Sequence, residues 1–248
     1  MSSDRNWELL ALELERWSGA SRKADFWLRD DDAVTPTAPL DRLLGLTGRF
    51  GIPVTLAVIP AFTDEALARR LSHTPHATVA VHGWSHRNYA PDGQKKQELG
   101  SYRPRGVVLD ELSRGLSHLT NLHGERAMPM LVPPWNRIDD GLLSDLGAIG
   151  FTALSVYGPA RPAPLTVINT HVDLMDWHGT RGCRDHAVLV HDIVSELDRA
   201  FVSGDPVGLL THHLVHDEAA WTFLEGLFEA TAGLAANWRS VGDLIGQS

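Results

Sequence analysis

Short apolar runs and stretches of helical periodicity alternate along this chain from Phe26 onward, and that alternation limits the fold more than any other feature. The apolar runs are Phe26-Trp27-Leu28, Val54 to Ile59, Thr78 to Val81, Met130 to Val132, Ala153 to Val156, Leu165 to Ile168 and Val207 to Leu210. Between them lie Leu40 to Phe50, Asp64 to Leu71, Val108 to Leu122, Asp139 to Ile149, His186 to Val202 and Glu218 to Ala236. Strands alternating with helices form parallel βα units. The pattern predicts an α/β fold, a distorted (β/α)7 barrel built as a single domain over residues 1–248. Before it, Trp7, Leu10, Leu14 and Trp17 recur at helical spacing and predict a helix over residues 5–18, ended by Gly19 and packed on the barrel.

Composition narrows the partners. With 248 residues and 43% hydrophobic content the chain can bury one large core. Acidic residues outnumber basic ones by 31 to 22, and no basic run exceeds the pair Lys95-Lys96, so the electrostatic footprint of a nucleic-acid binder is absent. Cys183 is the single cysteine, which excludes an internal disulfide and a cysteine-based metal site. Asp4, Arg5, Glu8, Glu13, Glu15 and Arg16 interrupt every apolar stretch near the N-terminus. No membrane span or signal-peptide core is expected there, and the cytoplasm is the expected compartment.

Five of the apolar runs end directly in polar clusters: Asp30-Asp31-Asp32, His82-Gly83-Trp84-Ser85-His86, Pro133-Pro134-Trp135-Asn136, Thr170-His171-Val172-Asp173 and Thr211-His212-His213. Loops that follow the strands of a β/α barrel gather at one face and build its active site, so these clusters are expected to act together. Histidines four apart lie on one side of a helical turn, and two neutral imidazoles there suit zinc. Three adjacent carboxylates at a strand end repel one another unless a cation or a shared proton relieves them. One carboxylate with two imidazoles is a common ligand set for a catalytic divalent metal and leaves positions open for water and substrate.

On these motifs the chain resembles the polysaccharide deacetylases of carbohydrate esterase family four, from Ala24 to Asp217. The family's Asp-Asp pair corresponds to Asp31-Asp32, with Ala33 at the small-residue position after it, although Asp30-Asp31 also satisfies a bare Asp-Asp pattern. His-x-x-x-His corresponds to His82 and His86. The resemblance implies Asp32, His82 and His86 as ligands of zinc, or of another divalent transition metal such as cobalt, with Asp31 as catalytic base. The family's Arg-Pro-Pro-aromatic motif is similar to Val132-Pro133-Pro134-Trp135, with valine where the arginine belongs. Arg29, two residues before Asp31 and so on the same face of a strand, or Arg137 is expected to take its place. The family's Asp-Trp motif resembles Asp173 and Asp176-Trp177, implying that Asp176 orients the catalytic histidine. Leu-x-His fits Leu210-Thr211-His212, with His213 as the rival to His212.

The implied reaction is hydrolysis of an N-acetyl or related amide on a sugar-containing or small substrate. Asp31 takes the proton of water, a backbone N–H near Trp84 or Trp135 meets the oxyanion, and His212 protonates the leaving amine. Trp84, Pro134, Trp135 and Trp177 are the expected pocket walls. Tyr89 to Arg105 and Tyr157 to Pro164, rich in glycine, proline and polar residues, read as loops over the site and too polar for the core. Competing readings are an allantoinase-like hydrolase of small amides on the same fold, and a sugar-binding barrel that has lost its chemistry.

Overall fold

A computed structural model describes residues 3–246, with the side chains of residues 7–246. The chain opens with α1 (Ser3–Gly19), β1 (Ala24–Ala33), α2 (Ala38–Phe50), β2 (Val54–Val58), α3 (Glu65–Leu71) and β3 (Ala77–Val81). It continues through α4 (Arg105–His123), β4 (Ala127–Leu131), α5 (Asp140–Leu146), β5 (Ala153–Leu154), β6 (Thr166–Val167) and β7 (Val172–Asp173). The last elements are α6 (His186–Ser203), β8 (Val207–Thr211), α7 (Glu218–Thr231), β9 (Ala236–Trp238) and α8 (Val241–Ile245). The fold class is α/β, with the strand–helix alternation of a distorted β/α barrel. None of the helices among the described residues is long and apolar enough to cross a membrane.

Contacts gather the chain into two compact units, interleaved along the sequence. One comprises the residues up to Asp30, Ala38–Val54 and Thr170–Ser240. Here β1 pairs in parallel with β8, from Phe26 opposite Val207 to Asp30 opposite Thr211, and with β9, from Ala24 opposite Ala236 to Phe26 opposite Trp238. Strand β7 lies on the other edge of β8, with Asp173 opposite Leu210. Helix α1 packs on α6 and α7 through Leu10, Leu14 and Trp17, all buried as their spacing predicts. Each such side chain contributes roughly 1.5–3 kcal/mol of burial. Trp17 meets Phe201 edge-on at 5.1 Å between centroids.

The second unit comprises Asp31–Thr37, Thr55–Asn169 and the residues from Val241. Strands β3, β4, β5 and β6 pair in parallel in chain order. The His82 N–H continues the ladder from β3 to the Val58 carbonyl of β2 at 2.9 Å, and the Val132 N–H continues it from β4 to Val81 at 2.8 Å. Strand β2 is buried along its whole length, and β3 nearly so, which is why both read as unbroken apolar runs. Helix α4 covers β3 and β4 through Val108, Leu112 and Leu119.

Two elements depart from the sequence expectation. Nine strands stand among the described residues where seven were expected, because β7 falls inside the polar cluster Thr170 to Asp173 and β9 begins where the last helical stretch was expected to end, so neither lies in an apolar run. The apolar stretch from Glu218 to Ala236 is not one helix: α7 ends at Thr231, Gly233 takes a left-handed φ of 76°, and the chain turns into β9.

Candidate metal centre

Strand β1 carries the first group to the site. Its apolar start gives way to Arg29, Asp30 and Asp31, all buried, and then to half-buried Asp32. Strict alternation along a strand would send Asp32 to the face of Asp30. The backbone at Asp32 is left-handed (φ 70°), which breaks the alternation, and Asp32 joins His82 and His86 instead. Its Oδ1 lies 3.2 Å from His82 Nε2 and 3.3 Å from His86 Nε2. One ligand atom from each of the three residues falls within 4.8 Å of the others.

The two histidines do not share a helical turn. Residues 82–86 leave β3 as an irregular bend, with left-handed backbone at Gly83 (φ 60°) and His86 (φ 54°). These two reversals bring the imidazoles to 5.1 Å between centroids. Left-handed backbone recurs at Trp135 and Asn136, whose loop packs on His86 with the Trp135 ring 4.3 Å away. Non-glycine residues in this region cost on the order of 1–3 kcal/mol each and cluster at functional sites.

The donor set fits a divalent cation. His82 Nδ1 lies 2.9 Å from the Val132 carbonyl oxygen, an obligate acceptor, so Nδ1 carries the proton and Nε2 of the neutral ring presents a lone pair. That lone pair points at a carboxylate oxygen, and His86 Nε2 points at the same oxygen. Lone pairs converging in this way require a cation or added protons between them. The balance of charge repeats the demand: burial disfavours a charged His82, yet the Asp31 charge and the bond and charge of Asp32 outweigh it and raise the pKa. His86, less buried, is lowered by burial and by His82.

The other candidates in this unit are distributed as follows. Val132, the valine at the motif-arginine position, is fully buried and orients His82 through its main chain, a task any side chain permits. Arg137 directs Nη1 to the Lys96 carbonyl at 2.8 Å. Pro134 is buried and begins the turn that displays half-buried Trp135. The Trp84 indole lies under the Arg114 guanidinium at 5.0 Å, and its backbone N–H is taken by the Glu98 carboxylate at 3.2 Å.

Glu98 is a residue the sequence reading missed. It sits within the stretch from Tyr89 to Arg105, expected to be too polar for the core, yet Glu98 and Leu99 are buried. Its carboxylate accepts from the N–H groups of Trp84, Ser85 and His86 and from the Ser85 hydroxyl, at 2.8 to 3.2 Å. A buried acid is tolerated only with such partners, and they are invisible in the local pattern.

Within the first unit, the fully buried Asp30 carboxylate accepts from Thr211 Oγ1 at 2.7 Å and from the His213 N–H at 2.9 Å, and is also bonded to His213 Nδ1. Burial works against its charge, but the His213 charge and bond, with help from His216 and Thr211, carry its pKa below the usual carboxylate value. Arg29 is fully buried one residue earlier, opposite Leu210. His212 is half-buried, its Nδ1 enclosed without a hydrogen-bond partner, and its ring meets Trp177 edge-on at 4.7 Å. The Trp177 Nε1–H donates to Asp173 Oδ2 at 2.8 Å. Asp176 instead caps a turn, accepting from the N–H groups of Gly179 and Thr180 at 2.9 Å, and those bonds lower its pKa.

No family model and no curated protein matches this sequence. Solved structures do. A candidate polysaccharide deacetylase from Mycobacterium smegmatis aligns with a TM-score of 0.67 at 17% identity, over 91% of this chain and 90% of that one. A family 4 carbohydrate esterase from Streptomyces lividans, in complex with acetate, aligns with a TM-score of 0.60 at 17% identity, over 86% and 90%. An acetyl xylan esterase of the same family from Clostridium thermocellum, in complex with a cobalt ion, aligns with a TM-score of 0.54 at 12% identity, over 90% and 91%. The resemblance seen in the motifs therefore extends to the backbone, and the chain has the fold of the polysaccharide deacetylases and family 4 carbohydrate esterases.

Proposed function

We propose that this chain is a metal-dependent deacetylase, which hydrolyses the carbon–nitrogen bond of an N-acetyl or related amide on a sugar-containing or small substrate. Asp32, His82 and His86 would hold zinc or a similar divalent ion such as cobalt. The observation that carries the reading is the convergence of one carboxylate oxygen and two imidazole nitrogens within 4.8 Å, with the His82 tautomer set by Val132. The structural neighbours support it, since they include a candidate polysaccharide deacetylase and two family 4 esterases, one in complex with acetate and one with cobalt.

A divalent ion in this ligand set would supply Lewis acidity toward a carbonyl oxygen and would bring the pKa of its bound water down to near neutrality. Asp31, buried beside the ligands and acting on His82 through its charge, is the base that takes the proton from the attacking water. Of the two backbone donors considered for the oxyanion, the Trp84 N–H is already committed to Glu98, so the role falls to Trp135, worth roughly 3 kcal/mol. The Leu210-Thr211-His212 motif makes His212 the residue proposed to return a proton to the leaving amine.

Metal content and amide hydrolysis test the reading together, measured over N-acetyl sugars and small amides with and without chelator. Asp32→Ala, His82→Ala and His86→Ala are expected to lose metal and turnover together, whereas Asp31→Asn keeps the metal and loses turnover by about 100-fold or more. A wild-type protein that holds no metal and gains no activity from added zinc or cobalt refutes it.

A further inference from the structure

We infer that Glu98 is a positioning residue of the metal centre, holding the loop that presents His86 in ligating geometry; the inference rests on the metal reading of Asp32, His82 and His86.

Between β3 and His86 the loop turns through two left-handed residues, Gly83 and His86. Backbone N–H groups at such a turn point inward together and form a concavity that attracts an anion. In many proteins a ligand fills it. Here the Glu98 carboxylate does, with Oε2 accepting from Trp84 and His86, both at 3.2 Å, and Oε1 accepting from the Ser85 N–H at 2.8 Å and its hydroxyl at 3.1 Å. The match extends to Gly83, where a Cβ would lie 2.2 Å from Glu98 Oε2 and 2.6 Å from Pro134 Cγ. The carboxylate occupies the space that any other residue at position 83 would need.

Glu98 is itself held from two sides. Arg103 donates to its carbonyl oxygen at 3.3 Å and ties that arm to α4 through Glu111 at 2.7 Å. The adjacent Leu99 is buried, bridges to Ile138 and accepts from the Asp139 N–H at 2.8 Å. The loop of residues 84–86 therefore hangs on a fixed anion, and His86, left-handed at its own φ, depends on that anion for its backbone direction. Groups that orient metal ligands from behind in this way typically change metal affinity by about 10–100-fold when removed.

The test uses the full chain, metal-free, with the variants Glu98→Ala and Glu98→Gln and with Ser85→Ala as reference. Cobalt(II) is titrated while its visible absorption is followed, and amide exchange at Trp84, Ser85 and His86 is measured before any metal is added. Glu98→Ala is expected to weaken cobalt binding by about 10–100-fold and to speed exchange at all three amides. Glu98→Gln keeps the size but turns an NH2 group toward backbone donors, so it weakens cobalt binding in the same direction and covers the case in which the alanine variant does not fold. Ser85→Ala removes one of four bonds and leaves the three amides protected. If the wild type binds cobalt while both Glu98 variants bind it equally well, the role of Glu98 falls and the metal reading stands. A wild type that takes up no cobalt overturns both.

Discussion

Removing the Asp30 carboxylate is expected to cost more stability than any other single change at the three aspartates. Asp30 is fully buried and meets three donors: the Thr211 hydroxyl, the His213 N–H and His213 Nδ1. Asp30→Ala leaves all three facing a cavity, with the His213 ring deprived of its counter-charge, and breaking a buried pair from one side costs about 3–5 kcal/mol. Against a typical total of roughly 5–15 kcal/mol this is a large share. Asp30→Asn preserves shape. Its amide oxygen can still serve Thr211 and the His213 N–H, and its NH2 group can donate to a neutral His213 ring, so what disappears is charge assistance, about 1–2 kcal/mol. Urea unfolding of the metal-free protein at pH 7, followed by tryptophan fluorescence, should therefore rank the proteins wild type, Asn, Ala. The pH dependence follows from the sign of the shift. The folded pKa of Asp30 lies below its unfolded value, so its contribution is present in full above the unfolded value of about 3.9 and is lost as pH falls through the folded one. The gap between wild type and Asp30→Asn should close on acidification below that value. An alanine variant within about 1 kcal/mol of wild type, or an asparagine variant as costly as alanine, refutes the reasoning.

Two further expectations concern other groups. His123 and His216 are held neutral by burial with pKa values of about 4, far below the ordinary 6.5. The unfolded chain binds more protons than the folded one between these values, so stability should fall as pH drops from about 6.5 to about 4, by on the order of 3 kcal/mol for each histidine, and His123→Gln should flatten part of that slope in urea midpoints. The slope should be absent above pH 7. Asp173→Ala should release the Trp177 indole, shift the His212 ring signals in NMR spectra and cost about 0.5–1.5 kcal/mol, whereas Asp176→Ala should disturb only the turn at Gly179 and Thr180; equal effects of the two on His212 would contradict the assignment.

The strand–helix alternation, the N-terminal helix through Leu10, Leu14 and Trp17, and the presence of a carboxylate–histidine ligand set were legible in the sequence by itself, because each is a local or periodic signal of burial and charge. The register of the three adjacent aspartates was implied only by the motif resemblance, which prefers Asp31-Asp32 to Asp30-Asp31. The tertiary structure separates them, since Asp30 answers to His213, 183 positions away, while Asp32 turns to His82 and His86 through a left-handed backbone that propensity disfavours for any residue but glycine. The same holds for the histidine pair, which meets through an irregular bend and not a helical turn, and for Glu98, an unremarkable acid in a polar stretch until the N–H groups of residues 84–86 close around it. A sequence displays which groups are costly to bury. Which partner removes the cost is decided where distant segments meet, because hydrogen bonds act over about 3 Å of space regardless of separation along the chain.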